Sequence, residues 1–117
     1  MNTTPLVSVL IPTYNRKDLL KRALDSVIKQ TYQNIEIYVT DNASTDGTLE
    51  FMNEYSKNDN RIIYRRREKN IGPLYNGSEA YNHLKGKYAI ILCDDDYFLS
   101  NVFFENAVKA MENNENI

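Results

Sequence analysis

Leu6-Val7-Ser8-Val9-Leu10-Ile11-Pro12-Thr13-Tyr14-Asn15 is an apolar, β-branched run closed by a proline and a polar loop. A short run of this kind, bounded by turn chemistry, reads as a buried strand. The period then changes. Leu19, Leu20, Ala23, Leu24, Val27 and Ile28 form a helical stripe, and Asn15 with Asp18 three residues later can cap its start. The same alternation recurs along the chain. Ile35 to Val39 is a second strand closing on Thr40-Asp41-Asn42, and Thr45 or Asp46 can cap a helix carrying Leu49, Met52 and Tyr55. Ile62-Ile63-Tyr64 is a short third strand whose polar flanks place it near an edge. Gly72-Pro73 precedes a weaker helix with Ala80, Tyr81 and Leu84, ended by Gly86. Tyr88 to Cys93 is the fourth strand, and Ser100 or Asn101 caps a last helix with Phe103, Phe104, Ala107, Val108 and Met111. Strand alternating with helix requires right-handed crossovers, hence an α/β fold. Its mostly parallel sheet of about four strands is flanked by helices on both faces.

The 117 residues make one domain by length, and 42% hydrophobic with 26% charged residues is the composition of a folded globular chain. A net charge of −2 gives no basic footprint for nucleic acid. Arg65-Arg66-Arg67 is the one dense basic run, readable as a solvated strand end or as a phosphate contact. Cys93 is the single cysteine, so no intrachain disulfide forms and a reducing, cytoplasmic compartment fits. Met1 to Pro5 lacks the features of a cleaved signal peptide, and no stretch is long and apolar enough to span a bilayer.

In sheets of this type ligands bind beyond the carboxyl ends of the strands. The unusual residues lie there: Pro12-Thr13-Tyr14-Asn15 after the first strand, Asp41-Asn42 after the second, Asp94-Asp95-Asp96 after the fourth. Three adjacent carboxylates repel one another unless a cation sits among them. Oxygen-rich clusters suit Mg²⁺ or Mn²⁺, which commonly bridge one or two carboxylates to substrate phosphates. A polar turn before a helix would account for one Asp, or two, less readily for three. Asp41 either caps the Ser44-Thr45 turn or accepts the imide N–H of a uracil-like base. The Tyr14 ring either packs or offers a stacking surface for a base. Asn70-Ile71-Gly72 supplies a tight turn, and Asn76 either reaches a ribose or phosphate or serves the helix start. His83 is a helix-surface residue. The glycines build neither a Rossmann fingerprint nor a P-loop.

Val7 to Arg16, Ser26 to Tyr32, Glu36 to Thr48, Asn70-Ile71-Gly72 and the Asp cluster occur in an order that resembles the opening of family 2 glycosyltransferases, from Leu6 to about Met111. The resemblance implies a GT-A fold, a nucleotide-diphospho-sugar donor, UDP-linked by expectation, and inversion at the anomeric carbon. It assigns the nucleoside to Pro12, Thr13, Tyr14, Asn15 and Asp41, the ribose side to Asp94 and the metal, Mn²⁺ or Mg²⁺, to Asp95. The reading of the residues adds Asn70, Gly72 and Asn76 to the expected donor-nucleotide set and Asp96 to the metal. Cys93 stands where the family's acidic motif often begins with Asp, and Asn42 where a second Asp is frequent.

The implied role is sugar transfer to a glycan or lipid-linked acceptor in cell-surface polysaccharide synthesis, at the inner face of the membrane in the full-length protein. Residues 1–117 are expected to be the donor-binding part, with the catalytic base and acceptor half beyond Ile117 and the isolated chain inactive. Two other classes compete. One is a non-catalytic fragment that binds nucleotide or self-associates as a homo-oligomer through an exposed sheet edge. The other is a receiver-like Mg²⁺-binding signalling domain, which needs an acidic pair where this chain has Pro12-Thr13-Tyr14-Asn15.

Overall fold

The computed structural model describes residues 4–114. Four strands alternate with four helices: β1 (Val7–Thr13), α1 (Lys17–Ile28), β2 (Ile35–Asp41), α2 (Thr48–Asn58), β3 (Ile62–Arg66), α3 (Pro73–Tyr81), β4 (Tyr88–Ile91) and α4 (Phe103–Asn113). All pairings are parallel and the strand order is β3-β2-β1-β4, so β3 is an edge strand as its flanks indicate.

Alternation along β1 divides the two cores. Val7, Val9 and Ile11 face Leu20, Ala23, Leu24 and Val27 of α1, Met52 of α2, and Phe104 and Val108 of α4. Leu10 faces the other way, with Tyr38 and Ala80 of α3. The sheet is therefore covered on both faces, but unequally. At β4 the thin side is open, and Ile91 is 54% exposed.

Several local expectations change. Asn15 does not cap α1. Its backbone is left-handed (φ 51°) and its Oδ1 accepts the Thr45 N–H, so it ties two loops together instead. Asp46 caps both helix starts nearby, accepting the Lys17 N–H through Oδ2 and the Thr48 N–H and hydroxyl through Oδ1. Ser100 accepts the Val102 N–H, while the first-turn N–H of Phe104 in α4 goes to Oε1 of Gln30, a residue just past α1. Gly86 does not end α3, which stops at Tyr81. Its value is close approach: a Cβ there would lie 2.5 Å from Ser8 Oγ and 2.7 Å from Ser8 N. β1 and β2 each extend to Thr13 and Asp41, paired in register, so these two site residues belong to strands and not to loops.

Candidate functional site

β2 and β4 flank β1 on opposite sides, so the order of strands reverses between β1 and β4. In an open parallel sheet this switch point leaves a cleft beyond the carboxyl ends. A cleft of about 380 Å³ opens there, lined by Pro12, Thr13, Tyr14, Arg16, Asn42, Asn70, Pro73, Asn76 and Asp94. Tyr14 is 45% exposed, so its ring is available to a ligand. A larger cleft of about 550 Å³ runs along α1 against residues 97–101. Lys21 pairs there with Asp25 at 2.9 Å and Arg22 donates to the Asp95 carbonyl at 2.8 Å, whereas Thr13, Tyr14 and Asp94, singled out at the strand ends, line the smaller cleft at the switch point.

The acidic motif splits by burial. Asp94 is buried and accepts the Thr13 hydroxyl at 2.9 Å across the switch point, with Arg16 Nη1 at 3.3 Å. Asp95 and Asp96 are exposed, and their carboxylate oxygens lie with Cys93 Sγ within 4.8 Å of one another. Among the described residues this is the group able to hold a metal ion, and it excludes Asp94. The two carboxylates fit Mg²⁺ or Mn²⁺, which take hard oxygen donors, and the softer Cys93 thiol stands outside that preference. A cation of the protein's own already stands there, since Arg16 Nη1 also lies 3.7 Å from Asp95 Oδ2. Arg16 is the site residue that sequence reasoning missed. The signal was present, because three adjacent carboxylates call for a nearby positive charge.

The acidic loop is carried by α1. Arg22 donates to the Asp95 carbonyl and lies 4.3 Å from the centre of the Tyr97 ring, and Ser26 Oγ accepts the Phe98 N–H at 3.1 Å.

The other expected residues fall into two groups. Asn70 and Gly72 form a loop that Asn42 pins, its Nδ2 donating to Asn70 Oδ1 at 2.9 Å and its Oδ1 accepting the Ile71 N–H at 2.9 Å. Asn70 Oδ1 also accepts the Gly72 N–H, and Gly72 takes φ 87°, which favours glycine. An Asp at position 42 has no N–H for Asn70, so the amide suits this loop. Asp41, Asn76 and Asn15 each make contacts that serve the fold. Asp41 is fully buried, with Oδ1 accepting from Ser44 N and Oγ and Oδ2 accepting the Tyr64 hydroxyl. Burial, then that hydrogen bond, push the Tyr64 phenol well above its ordinary range, so it remains a donor. Asn76 touches the cleft but also bonds to β2 and to the residue after β3: Nδ2 donates to the Thr40 carbonyl, and Oδ1 accepts from Thr40 Oγ1 and Arg67 Nε. The basic run likewise serves the fold. Arg65 and Arg67 pair with Glu79, and Arg66 donates to the Ser44 carbonyl.

Glycosyl transferase family 2 is matched over residues 8–117. The chain is 38% identical over 115 residues to an uncharacterized glycosyltransferase, MJ1057, of Methanocaldococcus jannaschii, covering 97% of this chain and 39% of that one. It is 45% identical over 94 residues to the abequosyltransferase RfbV of Salmonella typhimurium, covering 78% and 28%. Among solved structures, the mannosyltransferase PcManGT of Pyrobaculum calidifontis, in complex with GDP-Man and Mn²⁺, superposes with TM-score 0.83 at 27% identity, covering 93% of this chain and 33% of that one. TarS 1-349 of S. aureus in complex with UDP-GlcNAc does so with TM-score 0.83 at 26% identity, covering 92% and 31%. The sheet is thus that of the GT-A glycosyltransferases, and the chain spans 39% or less of each of these relatives. By sequence and by fold, the chain belongs to glycosyl transferase family 2.

Proposed function

We propose that these 117 residues form the donor-binding part of a metal-dependent glycosyltransferase that takes a nucleotide-diphospho-sugar, in our reading a UDP-sugar. The observation that carries this is the Thr13–Asp94 hydrogen bond, which joins the end of β1 to the acidic motif at the switch point. It sets a buried carboxylate in the cleft wall and leaves Asp95 and Asp96 exposed beside it.

In this reading the cleft has a base end and a phosphate end. Tyr14 offers a flat ring to the nucleobase, and the loop pinned by Asn42 allows Asn70 and Gly72 to approach the nucleoside. Asp41 stands behind them. A carboxylate has about four acceptor positions, and with three donors already present it keeps one for a base N–H. Asp94, oriented by Thr13, faces the ribose side, and Asp95 and Asp96 would hold Mn²⁺ or Mg²⁺. When bound, such an ion neutralises charge developing on the departing nucleotide diphosphate. No residue is assigned as the base for the acceptor hydroxyl. That base and the acceptor site belong to the part of the protein outside these residues, with a glycan or lipid-linked acceptor. No helix among the described residues is long and apolar enough to cross a membrane. The receiver-like reading loses its basis, because Thr13 ends β1 and Tyr14 follows it where that reading needs acids.

Calorimetry with UDP tests the proposal. Binding is expected with Mn²⁺ or Mg²⁺, and is expected to vanish in chelator and in Asp95→Ala. Equal affinity for UDP with and without metal would overturn it, and a preference for GDP would correct the base.

A further inference from the structure

We infer that Arg16 is a tethered counter-ion of the acidic motif, occupying the metal's electrostatic place in the metal-free protein and yielding Asp95 when a divalent ion binds. This rests on the donor-site reading above and adds a residue that acts through the acids without touching the base. Three observations lead to it. The guanidinium reaches Asp94 at 3.3 Å and Asp95 at 3.7 Å, spanning the buried and the exposed halves of the motif. The two contacts differ in environment: the Asp94 side chain is 9% exposed and that of Asp95 54%, so the second pair is the weaker and more easily exchanged. The Arg16 side chain is itself 51% exposed and leaves from the residue before α1, free to pivot toward solvent.

The other cation at this loop cannot substitute. Arg22 donates to the Asp95 backbone carbonyl and lies over Tyr97, so it fixes the loop's path and leaves the carboxylates alone. Thr13 supplies Asp94 with a neutral donor that stays in place when Arg16 leaves. The motif is therefore held at Asp94 by geometry and balanced at Asp95 by an exchangeable charge. An incoming divalent ion competes with Arg16 for Asp95. The displaced guanidinium remains on the cleft wall, where a metal-bound diphosphate offers it new oxygens.

The test uses Arg16→Ala and Arg16→Lys, with Mn²⁺ alone and with Mn²⁺ plus UDP, read by calorimetry and by melting temperature. In chelator, Arg16→Ala is expected to melt a few degrees lower, roughly what loss of a partly exposed ion pair costs. It is expected to bind Mn²⁺ alone about three- to five-fold more tightly than wild type, because the competitor is gone. With Mn²⁺ saturating, it is expected to bind UDP several-fold more weakly, and Arg16→Lys to fall between. A merely structural Arg16 would weaken both ligands together, and that result overturns the inference. Unchanged Mn²⁺ affinity in Arg16→Ala, with Asp95→Ala abolishing it, also overturns the inference and leaves the donor reading standing. If the wild type binds no Mn²⁺ with or without UDP, the donor reading falls and the exchange falls with it.

Discussion

At the scale of single residues, Asp41 shows how a site residue divides between fold and ligand. Its position at a strand end announced a carboxylate that needed donors, and Ser44 and Tyr64 supply them. The Ser44 contact lies three residues away and was legible as a turn cap. The Tyr64 contact comes from β3 and needed the sheet order to be seen. Tyr64→Phe removes one donor from a fully buried carboxylate. It is expected to cost about 1–3 kcal/mol in urea unfolding, with UDP binding in Mn²⁺ retained. Loss of UDP binding together with unchanged stability would mean that the phenol serves the ligand instead. Asn76 divides likewise. It lines the cleft, yet its Oδ1 is taken by Thr40 and Arg67 and one Nδ2 hydrogen by the Thr40 carbonyl.

At the scale of elements, the strand and helix runs were readable because their apolar periods differ. The caps were less so. Local sequence nominated Ser100 or Asn101 for α4; Ser100 accepts the Val102 N–H, but the Phe104 N–H is taken by Gln30, just past α1 and buried to 1% exposure. Its Nε2 also donates to the carbonyls of Ser26 and Ser100, so one side chain joins the end of α1 to the start of α4. Gln30→Ala is expected to destabilise by about 1–2 kcal/mol, since it uncaps α4 and removes the donor shared by the Ser26 and Ser100 carbonyls. A shift in the urea midpoint below a few tenths of that would show that water replaces the side chain. A Gln 74 residues before the N–H it caps leaves no trace in local spacing.

At the scale of the whole molecule, charge and topology act together. Burial alone would raise Asp46, but the Thr48 hydroxyl and the N–H groups of Lys17 and Thr48 outweigh it and hold the carboxyl below its ordinary 3.8. The Arg61 side chain does the same for Asp59. A carboxylate depressed on folding adds stability that is complete above its unfolded value and lost as pH falls through its folded one. Stability is therefore expected to hold down to about pH 4 and to decline below it, as followed by urea midpoints. In Asp59→Asn that decline should be shallower, and an identical slope would remove the Arg61 pair as its source. The sheet itself ends unevenly. Edge strand β3 carries Arg65 and Arg66, while the outer edge of β4 has no charged residue and an exposed Ile91.

What the sequence determined by itself was the alternation of strand and helix, the parallel sheet, and the chemical types gathered at the strand ends. Apolar period and turn chemistry are local, and each survives in a one-dimensional reading. What only the tertiary structure decided was which of those polar groups meet. Placing β4 beside β1 brought Thr13 to Asp94 across 81 residues, and the β1–α1 turn brought Arg16 over the carboxylates. Placing β3 beside β2 withdrew much of Asp41 from any ligand. A hydrogen bond needs its partners within about 3 Å, and for residues this far apart in the chain only strand order and register set that distance.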